Sequence, residues 1–97
     1  MTIPKKKLKF KNQDGIEYKV IFKKIPEKYN ASGMCDDPSS KRPQIWIDPT
    51  LDNRRCLEVL CEEFFHMAAF DKNEKTARKF AANLTKCLIA IGIKFEE

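Results

Sequence analysis

The chain has a single histidine, and its four cysteines include no Cys-x-x-Cys pair. Structural zinc sites are built from closely spaced cysteine and histidine pairs, so the pattern argues against a zinc finger or zinc ribbon. Nothing in the sequence directs export, which disfavours disulfides. We therefore predict four free thiols, mostly small buried apolar residues, at Cys35, Cys56, Cys61 and Cys87.

Long hydrophobic runs are also missing. No stretch approaches the roughly 20 apolar residues of a membrane span, and no apolar segment of a signal peptide follows the basic residues 5–7. We expect a soluble cytoplasmic protein with no membrane partner. A length of 97 residues suits one domain, residues 1–97, in which residues 1–6 are expected to be a flexible basic N-terminus.

Positive charge is concentrated at the N-terminal end. Residues 1–30 carry nine lysines and three acidic residues, a net charge of +6, whereas residues 31–97 have a net charge of −1. Such lysines could contact nucleic acid or an acidic protein. We favour solvated strand faces instead, because neither arginine-aromatic interleaving nor a known nucleic-acid motif accompanies the lysines.

Three short strands are predicted before two helices. Residues 7–11 and 16–25 are predicted to form two strands joined by a turn at residues 12–15, and residues 44–48 are predicted to form a third. Residues 27–43 have no apolar period and are expected to be loop. The fold class is α+β, with a small three-stranded antiparallel sheet followed by a motif helix and a backing helix.

Both helices have start signals. Asp48 or Thr50 is placed to cap the first helix, whose residues 56–70 are apolar at eleven of fifteen positions and which is therefore expected to be buried. The second helix begins near residues 71–74 and ends at Gly92. Its predicted apolar stripe is Ala77, Phe80, Ala81, Leu84, Leu88 and Ile91, and its lysines, Lys75, Lys79 and Lys86, are expected to be solvated.

The most specific pattern is at residues 61–66, which read CEEFFH. Glu62 and His66 are four residues apart and project from one helix face, with Glu63 about 100° round the helix. Ionisable groups on an apolar helix are costly to bury unless something pairs them, and a cation would do so. The spacing is that of the metallopeptidase motif His-Glu-x-x-His, with glutamate in place of the first histidine. The alternative is a core histidine that is simply hydrogen-bonded.

Together with a strand at residues 45–48, a motif helix at 57–66 and a second helix led by 70–74, this string resembles small phage-encoded zincin-like proteins. These are related in outline to SprT-like and ImmA/IrrE-type peptidases. The resemblance covers about residues 16–92 and implies a minimal zincin-like fold, in the host cytoplasm if the chain is phage-encoded.

The resemblance implies metal ligands at Glu62 and His66 and a general base at Glu63. It also implies a third, acidic ligand, but Thr76 stands where the ImmA/IrrE pattern has it. Asp71 is the first substitute and Glu74 the second. Asp71 is equally well placed to cap the second helix.

Two carboxylates and one imidazole suit Zn²⁺, and they make Mn²⁺ or Fe²⁺ more plausible than two histidines would. The resemblance thus predicts a metal-dependent peptidase that acts on a peptide or protein. Trp46 and its strand would line the cleft and offer an edge to the substrate. The rival hypothesis is a non-catalytic zincin-like protein that binds an acidic protein or nucleic acid through its lysine-rich hairpin.

Overall fold

The computed structural model describes residues 3 and 5–95. A four-stranded sheet is followed by two helices, so the α+β class is confirmed. In chain order the elements are β1 (Leu8–Lys11), β2 (Glu17–Phe22), a 3-10 turn (Glu27–Tyr29), β3 (Gly33–Cys35), β4 (Gln44–Ile47), α1 (Asn53–Ala68) and α2 (Glu74–Ala90).

The sheet is mixed rather than antiparallel, and it has four strands in the order β1-β2-β4-β3. β1 and β2 form the predicted antiparallel hairpin. β4, however, runs parallel to β2, with Val20 opposite Ile45. The prediction of a three-stranded antiparallel sheet is therefore wrong in the direction of this strand. A parallel pair needs a long crossover, and residues 23–43 are long enough to return the chain to the start of β2.

The additional strand, β3, lies inside the segment predicted to be loop. It pairs antiparallel with β4 on the side away from β2. Gly33 begins this strand and lies against α1, because a Cβ built on it would come within 2.6 Å of Val59 Cγ1 and 2.9 Å of Glu63 Oε2. A strand of three residues that begins with glycine is too short to show an alternation of polar and apolar residues. This explains why the sequence did not indicate a strand here.

The core lies between one face of the sheet and α1. Its buried members are Tyr18, Val20, Ile45, Ile47, Cys56, Val59 and Met67. α2 contacts α1 but not the sheet. The small side chains of Ala77, Ala81 and Thr85 are fully buried on α2, and such side chains allow a close approach to α1.

The larger apolar residues of α2 are therefore less covered than predicted. Phe80 is 47% exposed and Ile91 is 73% exposed, because the sheet does not reach the second helix. The predicted exposure of Lys75, Lys79 and Lys86 is confirmed.

The helix caps differ from those predicted. Asp52 caps α1 by accepting a hydrogen bond from Arg55 N, and Asp48 instead accepts from Thr50 N and Oγ1. Asn73 caps α2 by accepting from Thr76 N, so Asp71 does not have that role. Each true cap lies closer to its helix than the predicted one, and several acceptors in a row leave the choice open in the sequence.

Residues 1, 2 and 4 of the N-terminal segment predicted to be flexible lie outside the described residues. Of that segment, Ile3 N donates to Asn53 Oδ1 and the Lys5 ammonium donates to the Pro49 carbonyl. Among the described residues, neither helix combines the length and the hydrophobicity needed to cross a membrane.

We predict that Gly33→Ala destabilises the protein by about 1–3 kcal/mol, because the added methyl group overlaps the stiff Val59 side chain. Chemical denaturation of both proteins measures the change in unfolding free energy. The matched control is the same substitution in a Val59→Ala background, where the extra cost should be clearly smaller. Equal costs in the two backgrounds would contradict the proposed close approach.

Candidate metal centre

A cleft of about 470 Å³ lies where the end of α1, the start of α2 and β3 meet. Two of the motif residues, Glu63 and His66, line it from α1, and Glu74 lines it from α2. The remaining wall comes mainly from the loop and strand before β4 and from the turn between the helices, namely Tyr29, Ala31, Gly33, Met34, Cys35, Phe70, Lys72 and Asn73.

Three potential ligands lie close together at one side of this cleft, which His66 and Glu74 line and Glu62 does not. Atoms of Glu62, His66 and Glu74 all lie within 4.8 Å of one another. The first two share one face of α1, as predicted from their spacing. Glu74 joins them because Asn73 caps α2 and so makes Glu74 its first residue, directly beside the last turn of α1.

His66 is the most informative member of the group. It is 93% buried, and its Nε2 lies 2.9 Å from Glu74 Oε1. That contact lacks the alignment of a hydrogen bond, and Nε2 has no hydrogen-bond partner among the described residues. Buried polar atoms are nearly always satisfied, so this ring nitrogen is an exception that calls for an explanation.

The acidic groups around His66 repel one another. Burial raises the pKa of Glu62, and the charge of Glu74 raises it further. Burial also raises the pKa of Glu63 to about 8, with Glu62 and Glu74 adding to the effect. Arg78 is the nearest compensating cation, with its Nε 3.8 Å from Glu74 Oε2, but that pair is largely exposed and therefore weak.

The donor set fits a divalent cation. Ligand atoms at roughly 2.0–2.2 Å from one ion are at most about 4.4 Å apart, so the group needs only a small contraction. Glu74 is exposed and Glu62 half-buried, and both side chains have room to adjust. A bound cation would also pair with the buried ring nitrogen and offset the repulsion among the carboxylates.

Two predicted features lie elsewhere. Asp71, the first candidate for the third ligand, is exposed and lines a separate depression with residues 12–14. Trp46 does not line the cleft, because alternation along β4 turns it away from its buried neighbours Ile45 and Ile47. β4 is not an edge strand either, since β3 covers that side, so β3 supplies the wall expected from β4.

The cleft also contains a thiol that the sequence did not associate with it. The four cysteines are free, as predicted, but only Cys56 is buried, Cys35 and Cys61 being half-buried and Cys87 exposed. Cys35 is the one that lines the cleft. Burial, aided by the charge of Glu63, raises the pKa of Cys35 to about 12. A thiol nucleophile must ionise readily, so this cysteine is unsuited to that role.

Comparisons with protein families, curated proteins and solved structures find no match for this chain. The resemblance to zincin-like peptidases therefore stays a prediction from the motif, and the site itself carries the functional argument.

We predict one fast-reacting thiol, Cys87, which is the exposed cysteine. At about pH 8 a thiol with the raised pKa of Cys35 is thiolate only on the order of one part in ten thousand, so it should alkylate slowly. Iodoacetamide labelling followed by intact-mass analysis should show one rapid adduct that Cys87→Ser removes. Rapid labelling that Cys35→Ser removes would instead make Cys35 a reactive group of the cleft.

Proposed function

We propose that this protein is a divalent-metal-dependent hydrolase that acts on peptide bonds. Glu62, His66 and Glu74 would hold the ion, and Glu63 would act as general base. The single observation that carries the proposal is the buried Nε2 of His66, which lacks a hydrogen bond and lies beside two carboxylates. This is the arrangement in which a cation satisfies every group at once.

Zn²⁺ is the first candidate for the ion, because imidazole and carboxylate both bind it at short distances. The set contains two hard carboxylate donors and one imidazole, which also suits Mn²⁺ and Fe²⁺. In such a site a divalent ion polarises the carbonyl to be cleaved and makes water a better nucleophile at neutral pH.

The position of Glu63 supports its proposed role as general base. It lines the same cleft as His66 and Glu74, and it is 97% buried beside Gly33. A base must be ionised to accept a proton, and its raised pKa disfavours that form at neutral pH. A neighbouring divalent cation favours the ionised carboxylate, so metal binding would increase the fraction of Glu63 that can act as base.

An extended peptide is the substrate class that the cleft wall supports. β3 is an edge strand of the sheet, and its residues Gly33, Met34 and Cys35 border the cleft. A peptide that pairs with an edge strand gains main-chain hydrogen bonds whatever its sequence. Such pairing would bring a peptide carbonyl close to Glu63.

We expect one divalent ion to bind per chain, and His66→Ala to abolish binding, because His66 is the only imidazole in the chain. Calorimetry with Zn²⁺ and Mn²⁺ after removal of metal by chelation measures this. Glu74→Gln should weaken binding at least tenfold, since it removes an anionic donor.

Asp71→Asn is the matched control, because it removes the same charge three residues earlier in the chain. It should leave the metal affinity unchanged. Loss of affinity in Asp71→Asn but not in Glu74→Gln would make Asp71 the third ligand. No binding of either metal by the parent protein would overturn the proposed centre.

We expect Glu63→Gln to retain the fold and the bound metal but to lose peptide hydrolysis, because an amide cannot accept the proton of the attacking water. The measurement is cleavage of a mixed peptide library by the metal-loaded protein, followed by mass spectrometry. Glu58→Gln, a change on the same helix outside the cleft, is the matched control and should stay active. Equal cleavage by the parent and by Glu63→Gln would contradict the proposed role of Glu63 as base. No cleavage by the metal-loaded parent would contradict the proposed hydrolase activity.

A further inference from the structure

One face of the sheet has no helix over it. α1 packs on the face that carries Tyr18, Val20, Ile45 and Ile47, and α2 packs only on α1 within the described residues. Alternation places the intervening residues on the opposite face. We call this surface the open sheet face, and its central residues are Lys9, Lys19, Ile21, Lys23, Gln44 and Trp46.

Cations converge at one end of the open sheet face. Lys9 and Lys19 are directly opposite each other on β1 and β2. Lys19 N also donates to the Pro43 carbonyl, which holds the preceding loop beside it. Lys41 and Arg42 of that loop join the two strand lysines around a cleft of about 420 Å³.

Within the part of the chain that the structure describes, these four cations have no acidic partner. The one acidic side chain lining the cleft is Glu17, and it stands opposite Lys11 on β1. Like charges directly opposite in a ladder destabilise a sheet, so the pairing of Lys9 with Lys19 opposes folding unless an anion lies between them.

Aromatic rings lie next to the cations. Trp46 is two residues along β4 from Gln44, the partner of Lys19, which places it roughly 7 Å further along the same face. The Lys23 ammonium lies 4.7 Å from the centre of the Trp46 ring. Tyr29, with Lys28 5.0 Å from its ring centre, lines a second cleft of about 280 Å³ together with Trp46 and one acidic residue, Asp36.

We propose that the open sheet face binds single-stranded nucleic acid. The phosphates would lie over Lys9, Lys19, Lys41 and Arg42, and a base would stack on Trp46. A cationic track beside stacking aromatic rings is how sheet surfaces bind single strands without reading their sequence. An acidic polypeptide would satisfy the lysines but would supply no base to replace Lys23 over the Trp46 ring or Lys28 over the Tyr29 ring.

The test uses the full-length protein and a labelled oligothymidylate of about 15 nucleotides. Fluorescence anisotropy reports binding, and the emission of Trp46, the one tryptophan of the chain, reports stacking. With four phosphate contacts the affinity should fall about 50-fold between roughly 50 and 200 mM salt, from a slope of about −2.8. Quenching of Trp46 should accompany the rise in anisotropy.

The double variant Lys9→Gln/Lys19→Gln should reduce the salt slope to about −1.4 and weaken binding at low salt at least tenfold. Its melting temperature should equal or exceed that of the parent, since the like-charge pair is gone. The matched control, Lys75→Gln/Lys79→Gln, removes the same charge from the exposed face of α2 and should bind as the parent does.

Three results would overturn the proposal. The first is no rise in anisotropy at low salt. The second is an equal loss of binding in the control variant, which would indicate attraction to net charge alone. The third is that polyglutamate competes as well as the oligonucleotide while Trp46 stays unquenched, which would make the surface a site for acidic proteins.

Discussion

The close approach of Gly33 to α1 is the contact on which the candidate centre depends. Because this residue has no side chain, β3 lies against Val59 and Glu63 instead of being held away by a Cβ. β3 thereby becomes both the edge of the sheet and a wall of the cleft. The same contact removes Glu63 from water. Burial is the main cause of the raised pKa of both Glu63 and Cys35, and the nearby charge of Glu63 adds to the rise at Cys35.

The second constraint is electrostatic. Three glutamates lie around one buried histidine at the junction of the helices. Among the described residues, the lysine or arginine in direct contact with them is the exposed Arg78, which pairs with Glu74. Grouping carboxylates in this way opposes folding in the absence of a cation. A bound divalent ion would reverse the balance, and by joining residues from both helices it would also fasten α2 to α1. In this arrangement the binding of a metal would therefore be coupled to stability.

The two sides of the sheet differ in the chemical groups that they present. The cleft with its carboxylates and histidine lies on the side of the covered face, and the open sheet face carries lysines and Trp46. The N-terminal lysines were predicted from the sequence to lie on solvated strand faces. The parallel pairing of β2 and β4 brings two of them, Lys9 and Lys19, together with Lys41 and Arg42. Without that pairing the loop cations would lie away from the hairpin.

The spacing of residues within single elements determined part of the fold and of the candidate site. The four-residue interval between Glu62 and His66 requires a shared helix face. Alternation along residues 44–47 also turns Trp46 away from the core, a consequence that the predicted place of Trp46 in the cleft overlooked. Contacts between distant segments decided the rest. Strand direction, the extra strand β3 and the choice of Glu74 beside His66 depend on how loops return the chain, and no local period records that. Side-chain periodicity describes which face a residue occupies within its own element, whereas the partner on that face is set by packing.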